Sequence, residues 1–314
     1  MEYFGAHKLA PSVTTPWIIA LSVVGIIVIA LNILTLLTFY KSPSFRSRQH
    51  VLIVNLAVAD FLFGVAGIPS VFAFLLKPTI HSYYVFQSLN TFSKLAAFFT
   101  LGAIAVERMH AIVWPIRHHV LSNSIYKTVL ILIWVLSAVV TTFAVLNLTG
   151  YWVVKASLFK ALLPVVIFGI VITIFACYIS IWVSVRRRKR RKLGPPANRD
   201  KALAAALLLV AGTFVVTWVI PMFFLSISRM CKTCFHPTAS VVGCILLIIA
   251  LQSLVNPVIY CFRLPGFKDS LKVRGQKITF IDNIRPLRKR KTTATSAGMT
   301  RVSDNKGTES VTAF

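Results

Sequence analysis

The sequence predicts an all-α membrane protein built as a bundle of seven transmembrane helices. Of its 314 residues, 57% are hydrophobic, and the mean hydropathy is +0.78. A membrane-spanning helix needs about 20 mostly apolar residues, and seven runs of this kind occur. We term them spans one to seven, and they lie at about 17–40, 50–76, 83–112, 126–148, 156–185, 201–228 and 238–262.

Span one is expected to remain in the protein. Its apolar run is too long for the core of a signal peptide, and no small-residue cleavage site follows it. The triplet Asn147-Leu148-Thr149 is a glycosylation sequon, and with span one retained it falls in the second outer loop. The sequon therefore agrees with an outward-facing N-terminus.

The basic residues predict the same orientation. Lys and Arg number 34 against 8 Asp and Glu, and they concentrate in alternate connections and the tail. Lys41 and Arg48 lie in the first connection, "RRRKRRK" occupies 186–192, and "RKRK" occupies 288–291. Positive charge marks the cytoplasmic side. We therefore interpret these runs as topology signals and anchors to anionic membrane lipid, in preference to nucleic-acid binding.

Asp60 is an ionisable residue within span two, in the segment "NLAVADFLFG". A buried carboxylate needs hydrogen-bond donors or a cation, and Asn32, Ser253 and Asn256 on spans one and seven are candidate partners. Two interpretations stay open. Asp60 is either a hydrogen-bonded residue that joins helices, or part of a sodium-binding switch.

Glu107 and Arg108 are adjacent at the end of span three. Arg108 lies about 37 Å along the helix from Tyr83, and so at the cytoplasmic edge. The acid can neutralise the guanidinium while it is partly desolvated. Such a pair can be a latch that frees a cation when it opens, or a simple interfacial ion pair with snorkelling.

Five motifs in register now make the resemblance plain. They are "NLAVAD" in span two, "ERM" closing span three, Trp134 in span four, "NPVIY" at 256–260 and the following "FRLPGF". Together they resemble a rhodopsin-like (class A) G-protein-coupled receptor, over about residues 15–275. Within that class the chain is loosely similar to the melanocortin, cannabinoid and adenosine receptor group. "FRLPGF" corresponds to a short amphipathic eighth helix.

The resemblance implies roles for particular residues. Glu107 and Arg108 match the acid–arginine pair of the activation switch, and Tyr260 matches the tyrosine that swings inward on activation. Tyr178 is chosen as its partner on span five. The family's core network implies a possible sodium ion near Asp60, and no other cofactor is expected.

Span six and the cysteines depart from the family pattern. In "FVVTWVIP" one residue more than in the family pattern separates Trp218 from Pro221. Either the Trp218 side chain is rotated around the helix relative to the family's tryptophan, or a local bulge returns it to the family's position. The family's usual disulfide has no counterpart. Cys231 and Cys234 lie in the third outer loop, where an oxidising environment favours a local bridge; free thiols or zinc binding are the alternatives.

The predicted ligand pocket comprises Gln87, Asn90, Lys94 and Trp218. Asn90 stands where amine receptors of the family have an acid, so an amine ligand is disfavoured. Gln87 and Lys94 are each about one turn from Asn90, on the same helix face. Lys94 bonds a backbone carbonyl, loses its charge through desolvation, or serves as the counter-ion of an anionic ligand. We favour the last, because no acid is visible in the outer half of the bundle to satisfy Lys94.

The predicted function is that of a plasma-membrane receptor that converts binding of an extracellular ligand, anionic or lipid-like, into activation of a heterotrimeric G protein. The alternatives are a ligand-independent receptor and a transporter or channel; an enzyme is not expected. The predicted parts are an extracellular N-terminus (1–16), the bundle (17–262), the amphipathic helix (263–275) and a disordered cytoplasmic tail (276–314). Its hydroxyls are candidate phosphosites for arrestin, and its Thr312-Ala313-Phe314 end fits a PDZ domain.

Overall fold

The fold was examined in a computed structural model. It describes residues 11–42, 48–71, 79–149, 156–190, 212–213, 217, 239–263 and 267. The regular elements of these segments are all helical, which confirms the predicted fold class. The long helices are Pro11–Lys41, Val51–Leu62, Ile80–Val113, Asn123–Thr149, Ala156–Arg190 and Ala239–Arg263, and a short helix covers Pro115–His119.

Six of the seven predicted spans lie in the described residues. Each contains a helical stretch that is long and apolar enough to cross a membrane: Thr15–Lys41, Val51–Val71, His81–Val113, Asn123–Leu146, Val165–Arg187 and Gly243–Cys261. These are spans one to five and span seven. The predicted span six lies outside the described residues apart from Gly212, Thr213 and Thr217, as do the tail and most of the amphipathic helix.

Span three is the central helix of the described bundle, since it packs against spans two, four and five. Its first turn is fixed by a reciprocal cap. The Thr79 hydroxyl accepts a hydrogen bond from the Ser82 amide at 3.0 Å, and the Ser82 hydroxyl accepts one from the Thr79 amide at 2.9 Å. Such a capping box satisfies amides that a helix start leaves unpaired. At the other end, Pro115 begins the short helix, where its missing N–H costs nothing.

A polar contact joins three spans in the core. The Asn55 amide of span two donates to the Thr100 hydroxyl of span three at 2.8 Å. The Trp134 indole of span four donates to the Asn55 carbonyl oxygen at 3.1 Å. Asn55 thereby uses both ends of its amide, and the register between the three helices is set by directional bonds.

Span two widens into a π-helical turn at Phe63–Gly67, which begins three residues after Asp60. An inserted residue of this kind changes which side chains face the core beyond it, and such turns are frequent at functional sites. Gly64 lies at this turn against span one, where an added Cβ would meet Ile29 at 2.7 Å. Phe63 itself follows Asp60 by three residues, so the two side chains lie on the same face of the helix.

Spans one and seven meet at Gly243. A Cβ added there would lie 2.3 Å from the Trp17 ring, too close for a rigid indole to tolerate. Gly243→Ala should therefore push the two helices apart and lower the free energy of unfolding of the purified receptor by about 1–3 kcal/mol, which is measured as a lower unfolding temperature. Gly169→Ala on span five is the matched control, because no atom lies within 4 Å of its added Cβ. Equal unfolding temperatures for the two variants would contradict this packing.

Candidate functional site

Asp60 lies at the junction of spans two and seven, with no exposed surface. One carboxylate oxygen accepts from the Ser253 hydroxyl at 2.6 Å. The other accepts from the Asn256 amide, also at 2.6 Å. Both donors are on span seven, one turn apart. Three of the four residues predicted for the core network are thus in direct contact.

Asn32 joins this network through the backbone of span seven. Its amide donates to the Val28 carbonyl at 2.9 Å and to the Ser253 carbonyl at 3.4 Å. Pro257 lies four residues after Ser253 and has no N–H, so the Ser253 carbonyl lacks its usual helical partner. Asn32 supplies a donor to this freed carbonyl. The proline and the asparagine therefore act together to hold span one against span seven.

Lys94 is part of the same network, which the sequence did not indicate. Its ammonium donates to the Ser253 hydroxyl at 2.7 Å and to the Ile249 carbonyl at 3.2 Å. It also lies 3.6 Å from the centre of the Phe63 ring. The expectation that no acid lies near Lys94 is wrong, because Ser253, which accepts from Lys94, donates to Asp60 at 2.6 Å. The long side chain reaches inward to another helix, and positions along span three alone could not show this.

Asn90 and Gln87 are oriented differently from Lys94. The Asn90 amide donates to the Phe86 carbonyl at 2.9 Å, to the Gly67 carbonyl at 3.1 Å and to the Ser70 hydroxyl at 3.0 Å. It therefore faces span two. The Gln87 amide donates to Thr91 of its own helix at 3.1 Å. Of the predicted pocket, Lys94 reaches span seven and Asn90 reaches span two, while Trp218 lies outside the described residues.

Glu107 and Arg108 form a two-pronged ion pair, in which Nε and Nη2 of the guanidinium face the two carboxylate oxygens. Arg108 is only 2% exposed. A planar guanidinium in this bidentate geometry is held more firmly than a lysine would be. The predicted pair is thus present as a buried contact at the end of span three.

Two further residues hold Glu107, and sequence reasoning missed both. His118 Nε2 lies 2.9 Å from Glu107 Oε1, and the Tyr126 hydroxyl donates to the same oxygen at 3.4 Å. His118 and Tyr126 also contact each other at 3.3 Å. We term Glu107, Arg108, His118 and Tyr126 the Glu107 cluster. The sequence signal that could have indicated His118 was Pro115. This proline starts a new short helix, and His118 on that helix contacts Glu107 of span three.

The two predicted switch tyrosines differ in burial. Tyr260 is 1% exposed, and its hydroxyl has no hydrogen-bond partner within the described part of the chain. Tyr178 on span five is half-buried. A buried hydroxyl without a partner is costly. This end of span seven is therefore less firmly bonded than the core around Asp60.

Three of the predicted site residues were assigned to outer loops: Asn147, Cys231 and Cys234. Asn147 is in the last turn of the span-four helix, which ends at Thr149. The sequon predicted for an outer loop therefore begins within the helix of span four. Cys231 and Cys234 lie outside the described residues, so their bridge stays a prediction.

Comparison with known proteins identifies the class. Residues 31–260 match the model of the 7 transmembrane receptor (rhodopsin family). This match covers more than half of the chain, so the protein belongs to the rhodopsin family of seven-transmembrane receptors. It is a multi-pass membrane receptor that is activated by an extracellular ligand and signals through a G protein, and it is not an enzyme. The resemblance carried by the five motifs is thereby confirmed.

Several receptors are similar to the chain over most of its length. Lysophosphatidic acid receptor 1 of Homo sapiens is 26% identical over 260 residues, which cover 76% of this chain and 70% of that protein. Lysophosphatidic acid receptor 1-B of Xenopus laevis gives the same values. Somatostatin receptor type 3 of Homo sapiens is 29% identical over 282 residues, 80% of this chain and 65% of that protein. The finer resemblance to the melanocortin, cannabinoid and adenosine group stays a prediction.

The Ser253 hydroxyl both accepts from Lys94 and donates to Asp60, so its loss should leave two buried charges short of a partner. We expect Ser253→Ala to lower the free energy of unfolding by about 1–3 kcal/mol. Ser137→Ala is the control: Ser137 is equally buried, but its hydroxyl donates to the carbonyl of Ile133 in its own helix. Thermal unfolding of the two purified variants measures the difference. Equal losses would show that Ser253 does not link the charges.

Proposed function

We propose that this receptor, with its N-terminus outside the plasma membrane, responds to an anionic, lipid-like ligand. The observation that carries the proposal is the distribution of acids. Between residues 3 and 199 the sequence has two, Asp60 and Glu107. Asp60 accepts bonds from Ser253 and Asn256, and Glu107 pairs with Arg108. A cationic ligand inside the bundle would therefore meet acids that are already engaged, and Glu2 is the acid of the predicted extracellular N-terminus.

Lys94 is the cation proposed to recognise the ligand. Lys94 is 3% exposed, and its ammonium is held by two neutral oxygen acceptors and an aromatic ring. A carboxylate or phosphate is a stronger acceptor than a hydroxyl or a carbonyl. An anionic head group that reaches this depth can therefore take over the ammonium. The apolar spans suit an apolar body, and two similar receptors are named for an acidic lipid.

This exchange would couple ligand binding to span seven. A ligand that draws the ammonium toward itself would weaken its hydrogen bonds to Ser253 and Ile249, which join spans three and seven at this level. Span seven also carries Tyr260, whose hydroxyl is without a partner in the described residues. A weakened tie at Ser253 would let this helix end move more easily, and Tyr178 on span five is the partner proposed for the Tyr260 hydroxyl.

The Glu107 cluster is proposed to keep the receptor inactive on the cytoplasmic side. Glu107 neutralises Arg108, and His118 and Tyr126 hold Glu107 in place. Opening the cluster would free a guanidinium toward the cytoplasm, where it can contact a G protein. The proposed brake thus includes two residues outside the acid–arginine pair, one on the short helix and one on span four.

Arrestin and a PDZ-domain protein are proposed as further cytoplasmic partners. The Ser and Thr residues of the tail are the phosphosite candidates, and Thr312, Ala313 and Phe314 form the PDZ-type end. A hydroxyl two residues before an apolar carboxyl terminus suits addition as an extra strand to a PDZ sheet. These residues lie outside the described part of the structure.

Arg108→Ala should abolish G-protein activation while leaving surface expression largely intact, because no cation remains to enter the opened cleft. Arg108→Lys should retain only part of the activity, since an ammonium lacks the planar fork. His118→Ala should act in the opposite direction and raise ligand-independent activation, by loosening Glu107. Nucleotide exchange on the G protein, normalised to surface receptor, measures all three. Undiminished exchange in Arg108→Ala would remove Arg108 from the mechanism.

A panel of acidic lipids, small carboxylates, nucleotides, amines and peptides, including lysophosphatidic acid and somatostatin, should yield an anionic agonist. Lys94→Met should then reduce its potency about tenfold or more, because a charge-assisted hydrogen bond contributes about 1.5–3 kcal/mol. Lys94→Arg should keep part of the potency. Lys127→Met, which removes an exposed lysine at the start of span four, is the control. A cationic or neutral agonist whose potency is unchanged in Lys94→Met would refute the anionic ligand.

A further inference from the structure

Lys94 and Asp60 form a charge pair that is joined by a single hydroxyl. The Lys94 ammonium donates to Ser253 at 2.7 Å, and Ser253 donates to an Asp60 oxygen at 2.6 Å. The exposed fractions are 3% for Lys94 and 0% for both Ser253 and Asp60. The three residues come from three different spans. The middle of the bundle therefore contains one positive and one negative charge, both away from solvent.

The surroundings of this pair are those of a cation site. Asp60 supplies a carboxylate, and Asn32 Oδ1 and Asn256 Oδ1 are buried carbonyl oxygens without a hydrogen-bond partner in the described residues. Both asparagines direct their amide nitrogens into the network, toward Ser253 and Asp60. Carboxylate and carbonyl oxygens are the ligands that hard metal cations prefer. A diffusible cation such as sodium would therefore find suitable oxygens near Asp60 only if the asparagine side chains turned over, because their amide nitrogens now donate to Ser253 and Asp60.

We propose that the Lys94 ammonium is a built-in replacement for such a cation. It neutralises Asp60 through Ser253, and it excludes sodium from the core of the resting receptor. Two positive charges a few ångströms apart in a protein repel enough to weaken binding of the second by on the order of a thousandfold. Because the ammonium is tethered to span three, its occupancy does not depend on the salt concentration. The sodium ion predicted near Asp60 would then bind only when Lys94 is removed or drawn away.

The other contacts of Lys94 support a fixed position for the charge. The Ile249 carbonyl accepts a second N–H, and the Phe63 ring provides a cation–π contact at 3.6 Å. Phe63 is the first residue of the π-helical turn of span two. Acceptors from spans two and seven thus surround an ammonium from span three. Without the ammonium, the Asp60 carboxylate would keep the Ser253 and Asn256 donors but would lose the positive charge that compensates it.

The test is thermal unfolding of the purified full-length receptor without ligand, in sodium chloride or N-methylglucamine chloride at equal ionic strength. We expect the wild type and Lys127→Met to unfold at the same temperature in both salts. Lys94→Met should be less stable in N-methylglucamine and should gain a few degrees as sodium rises to about 150 mM, as expected for an ion that binds only the native state. Adding Asp60→Asn to Lys94→Met should abolish the sodium response.

Two results would overturn the proposal. One is a saturable sodium-specific stabilisation of the wild type as large as that of Lys94→Met, which would show that ammonium and sodium do not compete. The other is a Lys94→Met receptor that folds but does not respond to sodium. The measurement needs no ligand, so its outcome is independent of the proposed anionic agonist.

Poor folding of Lys94→Met has its own readout. A buried carboxylate left without its cation is strongly destabilising, whereas removal of both charges is better tolerated. Asp60→Asn combined with Lys94→Met should therefore restore surface expression above that of Lys94→Met alone, a coupling that a double-mutant cycle detects. Equal expression of the single and double variants would show that Lys94 does not compensate Asp60.

Discussion

The compensation of Asp60 is the constraint on which the described bundle depends. A carboxylate with no exposed surface in an apolar core cannot remain charged without donors and a cation. The chain satisfies it with two donors from span seven and an ammonium from span three, linked by Ser253. These bonds fix the positions of three helices at one level. A change in any of the partners is therefore felt by the others.

Span three carries a second buried cation at its far end, and the two are satisfied differently. Lys94 and Arg108 are separated by about 21 Å of helix rise. Lys94 reaches its acid through a hydroxyl on another helix, whereas Arg108 pairs with the residue beside it. The first arrangement joins helices, so it resists their separation. The second leaves the acid free to be held or released by His118 and Tyr126, and is suited to change.

Small backbone features decide how closely these groups approach. Phe63, which begins the π-helical turn of span two, lies beside the Lys94 ammonium. Pro257 frees the Ser253 carbonyl, which then accepts the Asn32 amide. Gly243 admits the Trp17 ring against span seven. Each feature is local in sequence, but its effect is a contact between two helices, so the network around Asp60 is inseparable from the packing of spans one, two and seven.

The sequence by itself determined the class of the fold, the location of the described spans, the burial of Asp60 and the pairing of Glu107 with Arg108. Hydropathy and charge act residue by residue along the chain, and adjacent residues are close in any fold. Only the tertiary structure decided that Lys94 reaches Ser253, that Asn90 turns to span two, and that His118 and Tyr126 hold Glu107. These contacts join residues that are distant in sequence. They depend on helix rotation and on the reach of long side chains, because a four-carbon stem can carry a charge to a neighbouring helix that periodicity does not identify.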